Sequence, residues 1–191
     1  MTAETRPETP RPSRRVPTVR SVDHVSYTVP DLEQAITFFV AYLGAELIYR
    51  DGPFGRPGED YMRRKLNVHP DATSLLAMLR LGRDFNLELI QYETAGQRLA
   101  VPSNSDVGGS HLALYVDDID EARAYLRGVP GVTLLEGPNG VAADSPVAGQ
   151  RWFYFLTPWG MTMELTSDSA GNFYGGLPGA AMAPPTRWNQ C

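Results

Sequence analysis

The feature that most constrains this chain is that it contains part of itself twice. Asp23-His24-Val25-Ser26-Tyr27-Thr28-Val29-Pro30-Asp31-Leu32-Glu33-Gln34-Ala35 lies without a gap on Ser110-His111-Leu112-Ala113-Leu114-Tyr115-Val116-Asp117-Asp118-Ile119-Asp120-Glu121-Ala122, at a constant offset of 87 residues. His24 falls on His111, Val29 on Val116, Asp31 on Asp118 and Ala35 on Ala122. Self-similarity at a fixed offset marks one supersecondary unit used twice. Each copy alternates apolar and polar residues, as a half-buried strand does, and passes at once into a helical pattern. Asp31 with Gln34, and Asp118 with Glu121, carry the spacing of helix N-caps. Leu32, Ala35, Ile36, Phe39, Val40 and Leu43 form one apolar face, closed by Gly44 as a C-cap. Ile119, Ala122, Arg123 and Leu126 form a shorter stripe that ends near Gly128.

The correspondence continues past the helices. Glu46 to Arg50 and Val132 to Glu136 are candidate second strands, Leu75 to Leu81 and Arg151 to Thr157 third strands, and Asn86 to Tyr92 and Met161 to Thr166 fourth strands. Each half is then a βαβββ module, and the fold class is α+β. The first module runs over residues 19–95 and the second over 108–167. The first is longer, with an insertion at about 52–73, in which Glu59 to Leu66 is expected to form a short helix or a lid. Residues 1–18, rich in Pro and Arg, are expected to be a disordered tail. Residues 168–191, rich in Gly, Pro and Ala, are expected to form an irregular tail whose Phe173, Tyr174 and Trp188 pack on the body.

Four side chains that ligate metals recur in register: His24 and Glu88 in the first half, His111 and Glu164 in the second. A strand has a side-chain period of two, so each of the four stands on the polar face of an amphipathic strand. A lone strand His is more often a hydrogen-bonded core or surface residue, and a lone Glu a solvated one. Two of the three His at one repeat position and two Glu at another are not independent events, and they favour a metal site. His69, outside the repeat, reads as structural. Two imidazoles and two carboxylates suit one divalent first-row ion (Mn, Fe, Zn, Ni or Co) and leave positions for substrate oxygens. If the halves pack as pseudo-symmetric copies, the four converge on one concave sheet.

Composition excludes other classes. The only cysteine is Cys191, so neither an internal disulfide nor a thiolate cage is possible. Residues 21–191 hold 12 basic and 20 acidic side chains, a balance that repels nucleic acid. No apolar run is long enough to span a bilayer and no secretory h-region precedes the first strand, so a cytoplasmic protein is expected.

These features resemble the vicinal oxygen chelate superfamily, which includes glyoxalases, bleomycin-resistance proteins and extradiol dioxygenases. The resemblance rests on Val22 to Leu32, on Gly109 to Ile119 and on Thr157-Pro158-Trp159-Gly160-Met161-Thr162-Met163-Glu164-Leu165, and covers about Val19 to Ser167. It implies paired βαβββ modules in an open, cup-shaped mixed sheet around a metal held by His24, Glu88, His111 and Glu164. It also implies a homodimer and a small substrate with vicinal oxygens. Ring-cleaving dioxygenases in the superfamily match His24, His111 and Glu164 only, and the fourth ligand, Glu88, points to a non-redox isomerase. The inserted and tailed layout is similar to cyclitol epimerases of the 2-epi-5-epi-valiolone type. Such an enzyme would act next to a ketone through an enediolate, with Glu88 and Glu164 as the bases on opposite sides. A glyoxalase I-like lyase, an extradiol dioxygenase and a metal-free binding or resistance protein are the alternatives.

Overall fold

The computed structural model describes residues 16–55, 58–168 and 185. Most of both expected tails, including Phe173, Tyr174 and Trp188, lies outside the described residues. The first half contains β1 (Val25–Thr28), α1 (Leu32–Thr37), β2 (Glu46–Phe54), α2 (Tyr61–Leu66), β3 (Thr73–Leu81) and β4 (Phe85–Glu93). The second contains β5 (His111–Tyr115), α3 (Ile119–Leu126), β6 (Thr133–Leu134), β7 (Asn139–Gly140), β8 (Gln150–Leu156) and β9 (Thr162–Asp168). The strands form two sheets, ordered β1-β4-β3-β2 and β5-β9-β8-β6, with β7 also on β8. In each, the strand that opens the module runs parallel to the strand that closes it, β1 to β4 and β5 to β9.

The helices start where the caps require. The Asp31 carboxylate accepts the Gln34 N–H at 2.8 Å. The Asp118 carboxylate accepts two, from Asp120 and Glu121, each at 2.9 Å. α1 does not stop at Thr37 but continues as a π-helical turn, Phe38–Tyr42, which sets both Phe38 and Phe39 in the core. There Trp159, from the turn before β9, meets Phe38 edge-on at 5.4 Å. The Tyr125 hydroxyl of α3 donates to the Tyr42 carbonyl at 3.0 Å. One hydrophobic core therefore runs through both halves. Arg123 fits its weak helix stripe because its guanidinium lies 5.8 Å from the centre of the Phe153 ring.

Two local expectations change, and a third is resolved in favour of a helix. β2 extends to Phe54, with register shifts after Leu47 and Asp51, so the insertion lies between Phe54 and Thr73. Its middle is a docked short helix: Met62 is fully buried, and Asn67 at φ 57° ends α2. The expected strand Val132 to Glu136 shrinks to two residues and is followed by the two-residue β7. Pro130 and Pro138 remove ladder donors on either side. Gly137 at φ 140° turns the chain where a Cβ would lie 2.6 Å from that of Phe153.

A candidate metal centre in two halves

Each sheet has a dry face and a wet face. Ala77, Leu79, Leu87 and Leu89 of the first sheet, and Phe153, Phe155, Met163 and Leu165 of the second, are buried against the helices. The period of two places Glu88 and Glu164 on the opposite faces. In the first sheet Glu88 stands between Ser26 of β1 and Met78 of β3. In the second, Glu164 stands between Ala113 of β5 and Tyr154 of β8. The parallel pairing of opening and closing strands brings each His to its own Glu. His24 Nε2 is 3.6 Å from Glu88 Oε2, and His111 Nε2 is 3.1 Å from Glu164 Oε2.

These spacings suit a shared ion. Two donors about 2.1 Å from one ion lie about 3.0 Å apart at octahedral angles and about 3.4 Å apart at tetrahedral ones. Each pair therefore has the spacing of two neighbouring ligands of one divalent ion. The two carboxylates are mostly shielded while the imidazoles stay about one-third exposed, so the mouth of each half is open. Beside the second half, Asn104, Gly109, Ser110, His111 and Tyr154 line a cavity of about 530 Å³.

The halves are supported differently. His24 holds a hydrogen bond between Nδ1 and the Asp23 carboxylate at 2.7 Å, which fixes the ring and leaves Nε2 facing Glu88. Ser110, which carries no charge, occupies the matching position before His111. In the second half an aromatic ring takes that place. Tyr154 stands directly across the antiparallel pair from Glu164, and its ring meets His111 edge-on at 5.2 Å. Burial raises the Glu164 carboxyl above its ordinary pKa, against the opposing pull of His111 and Tyr154. The Tyr154 phenol is also raised, first by burial and then by the Glu164 charge. Neither Asp23 nor Tyr154 is among the candidate site residues that the sequence singles out. The signal for both was their neighbourhood: an acid beside the repeated His, and the one residue of β8 opposite the repeated Glu.

The structure joins His24 to Glu88 and His111 to Glu164, but it does not gather the four. Among the described residues no three His, Cys, Asp or Glu side chains come together as a metal-binding group. β1 pairs only with β4 and β5 only with β9, so the two sheets share no strand pairing. His69 stands apart, its Nδ1 accepting the Asp71 N–H at 3.2 Å in the connection before β3. No helix among the described residues is long and apolar enough to cross a membrane.

Two modules of this topology with repeated His–Glu pairs define a class, and comparison with known proteins agrees. The chain belongs to the glyoxalase/bleomycin resistance protein/dioxygenase superfamily, whose sequence profile matches residues 23–148. It is 50% identical over 161 residues to a 2-epi-5-epi-valiolone epimerase of an Actinomyces species, a match that covers 83% of this chain and 85% of that one. The fold is that of a glyoxalase family protein from Bacillus cereus (TM-score 0.61, 20% identity, 83% of this chain and 98% of that one). A glyoxalase family protein from Enterococcus faecalis is similar in the same way (TM-score 0.54, 24% identity, 77% and 97%).

Proposed function

We propose that this chain is a divalent-metal-dependent epimerase that inverts a carbon next to a ketone in a cyclitol, with 2-epi-5-epi-valiolone as the substrate to test first. It is an isomerase-type enzyme of its superfamily, and the half-identical relative named as that epimerase supports the substrate. The observation that carries the metal reading is the repeated His–Glu pair at 3.6 and 3.1 Å. His24, Glu88, His111 and Glu164 would hold the ion, which supplies Lewis-acid polarisation of the ketone oxygen.

The remaining chemistry belongs to the chain. Burial above the dry face fixes each glutamate close to its histidine and lifts the proton affinity of Glu164 towards what a base needs. One glutamate takes the proton from the carbon beside the ketone, leaving an enediolate. The other returns a proton to the opposite face, so configuration inverts with no net redox change.

Because one chain presents two separate halves, the complete site is assembled from two copies, His24 and Glu88 of one with His111 and Glu164 of the other. The opening strands β1 and β5 each keep one edge that no strand covers among the described residues, which suits such a homodimer. A cytoplasmic location and the exclusion of nucleic acid follow from the acidic, single-cysteine composition.

Mixing two dead variants tests this arrangement. Glu88→Gln and Glu164→Gln each remove one base from every site and abolish turnover. Unfolded and refolded together, they form mixed dimers in which one of the two sites has all four native ligands. Random pairing restores about a quarter of wild-type activity. A mixture that stays inactive contradicts the shared site. Wild-type protein that, loaded with each candidate metal, does not epimerise 2-epi-5-epi-valiolone contradicts the substrate.

A further inference from the structure

The segment between the modules belongs to neither repeat, yet it walls the second half-site. From Ser103 to Gly109 it closes on itself through two successive turns. The Asp106 N–H donates to the Ser103 carbonyl at 2.9 Å, and the Gly109 N–H to the Asp106 carbonyl at 2.8 Å. The Asp106 carboxylate accepts the Ser103 N–H at 3.0 Å. Gly108 takes φ 95° inside the second turn. A Cβ on Gly109 would run into the Ser103 carbonyl oxygen, so glycine is what lets the loop close. His111 follows two residues later, so the loop is anchored beside that ligand.

The loop brings Asn104 to the cavity of about 530 Å³ that Ser110, His111 and Tyr154 also line. That volume lies within the usual range of small-molecule sites, about 300–1,000 Å³. Asn104 is exposed, and its side chain makes no hydrogen bond among the described residues. An amide both donates and accepts, as a hydroxyl does. No Lys or Arg lines this cavity, so no permanent cation stands there to meet a phosphate or carboxylate. Arg80 shares a sheet face with Glu88, but its charge is met by Glu46 at 2.6 Å.

We infer that Asn104 is a specificity-determining residue whose side-chain amide holds a ring hydroxyl of a neutral, polyhydroxylated substrate. The inference rests on the epimerase reading above and deepens it by naming a residue that recognises the ring. The hydroxyl it holds lies away from the reacting carbon. Its contact is therefore the same in the ground state and the transition state, and its loss falls on KM and not on kcat.

The test is initial-rate kinetics of the metal-loaded enzyme on 2-epi-5-epi-valiolone, with Mn(II) affinity and melting temperature measured alongside. Asn104→Leu keeps the shape of the side chain and removes its hydrogen bonds. KM rises by about fivefold or more, and kcat stays within about twofold. Mn(II) affinity and melting temperature stay at their wild-type values. Analogues that each lack one ring hydroxyl then locate the contact. For one of them the loss seen with wild type disappears in Asn104→Leu, because both changes remove the same hydrogen bond. An unchanged KM in Asn104→Leu overturns the inference, as does a fall in kcat that tracks a loss of Mn(II) or of thermal stability. Losses that add for every analogue overturn it too. Wild-type enzyme inactive on this cyclitol with every candidate metal defeats the epimerase reading and the inference with it, a result distinct from an active enzyme indifferent to Asn104.

Discussion

The first half-site holds its imidazole with a carboxylate, and the second packs its imidazole against an aromatic ring. Asp23 grips His24 at 2.7 Å, while Glu88 faces a methionine across its strand pair. Tyr154 stands opposite Glu164, while His111 follows a serine and rests on the edge of the tyrosine ring. A duplicated module starts with two identical halves, and an epimerase needs two bases on opposite faces of its substrate. It does not need their surroundings to be equal. The comparison teaches that the repeat supplies the proposed ligand set, and that neighbouring positions where the two copies differ decide how each imidazole is held.

This contrast can be broken from either side. The largest effect outside the glutamates is expected at Asp23. Asp23→Asn removes the carboxylate that orients His24 and lowers Mn(II) affinity by about tenfold, near the low end for such partners because Asp23 is mostly exposed. Ser110→Ala, at the matching position, leaves that affinity within about twofold. Equal losses at Asp23 and Ser110 would erase the difference between the halves. A smaller contrast lies in the helices. Asp118 caps two N–H groups and Asp31 one, so Asp118→Ala is expected to destabilise by about 1–2 kcal/mol and Asp31→Ala by about 1 kcal/mol or less, read from urea midpoints. An equal or reversed order would show that cap geometry does not set the stability of these helix starts.

Much of this was legible in the sequence because repeats and strand periods are local. The repeat that pairs His24 with His111 and, past the insertion, Glu88 with Glu164 needs only residue identity, and the period of two already puts all four on wet faces. The family resemblance then fixes the α+β fold. What was not legible depends on non-local geometry. The second strand of the second half failed because two prolines and Gly137 at φ 140° outweigh its apolar pattern. The insertion looked like either a lid or a helix, and only the burial of Met62 settles that it is docked. Tyr154 could not be separated from Trp152 or Phe155 until the register of β8 on β9 put it opposite Glu164. Whether the two wet faces converge within one chain is a question of how modules pack, and no periodicity within a module encodes it. The two separate sheets and the apolar contact of Trp159 with Phe38 are the answer in this chain.

The central claim is that both halves serve one ion, and counting metal tests it most directly. Protein purified without chelators, and the Glu88→Ala variant prepared alongside it, are analysed by inductively coupled plasma mass spectrometry after dialysis. The account predicts about one divalent ion per chain in wild type and a marked loss in Glu88→Ala, although His111 and Glu164 are untouched. Full retention of metal without Glu88 would contradict it and point to a three-ligand site, and a wild-type protein that cannot be loaded at all would leave a binding protein in place of an enzyme.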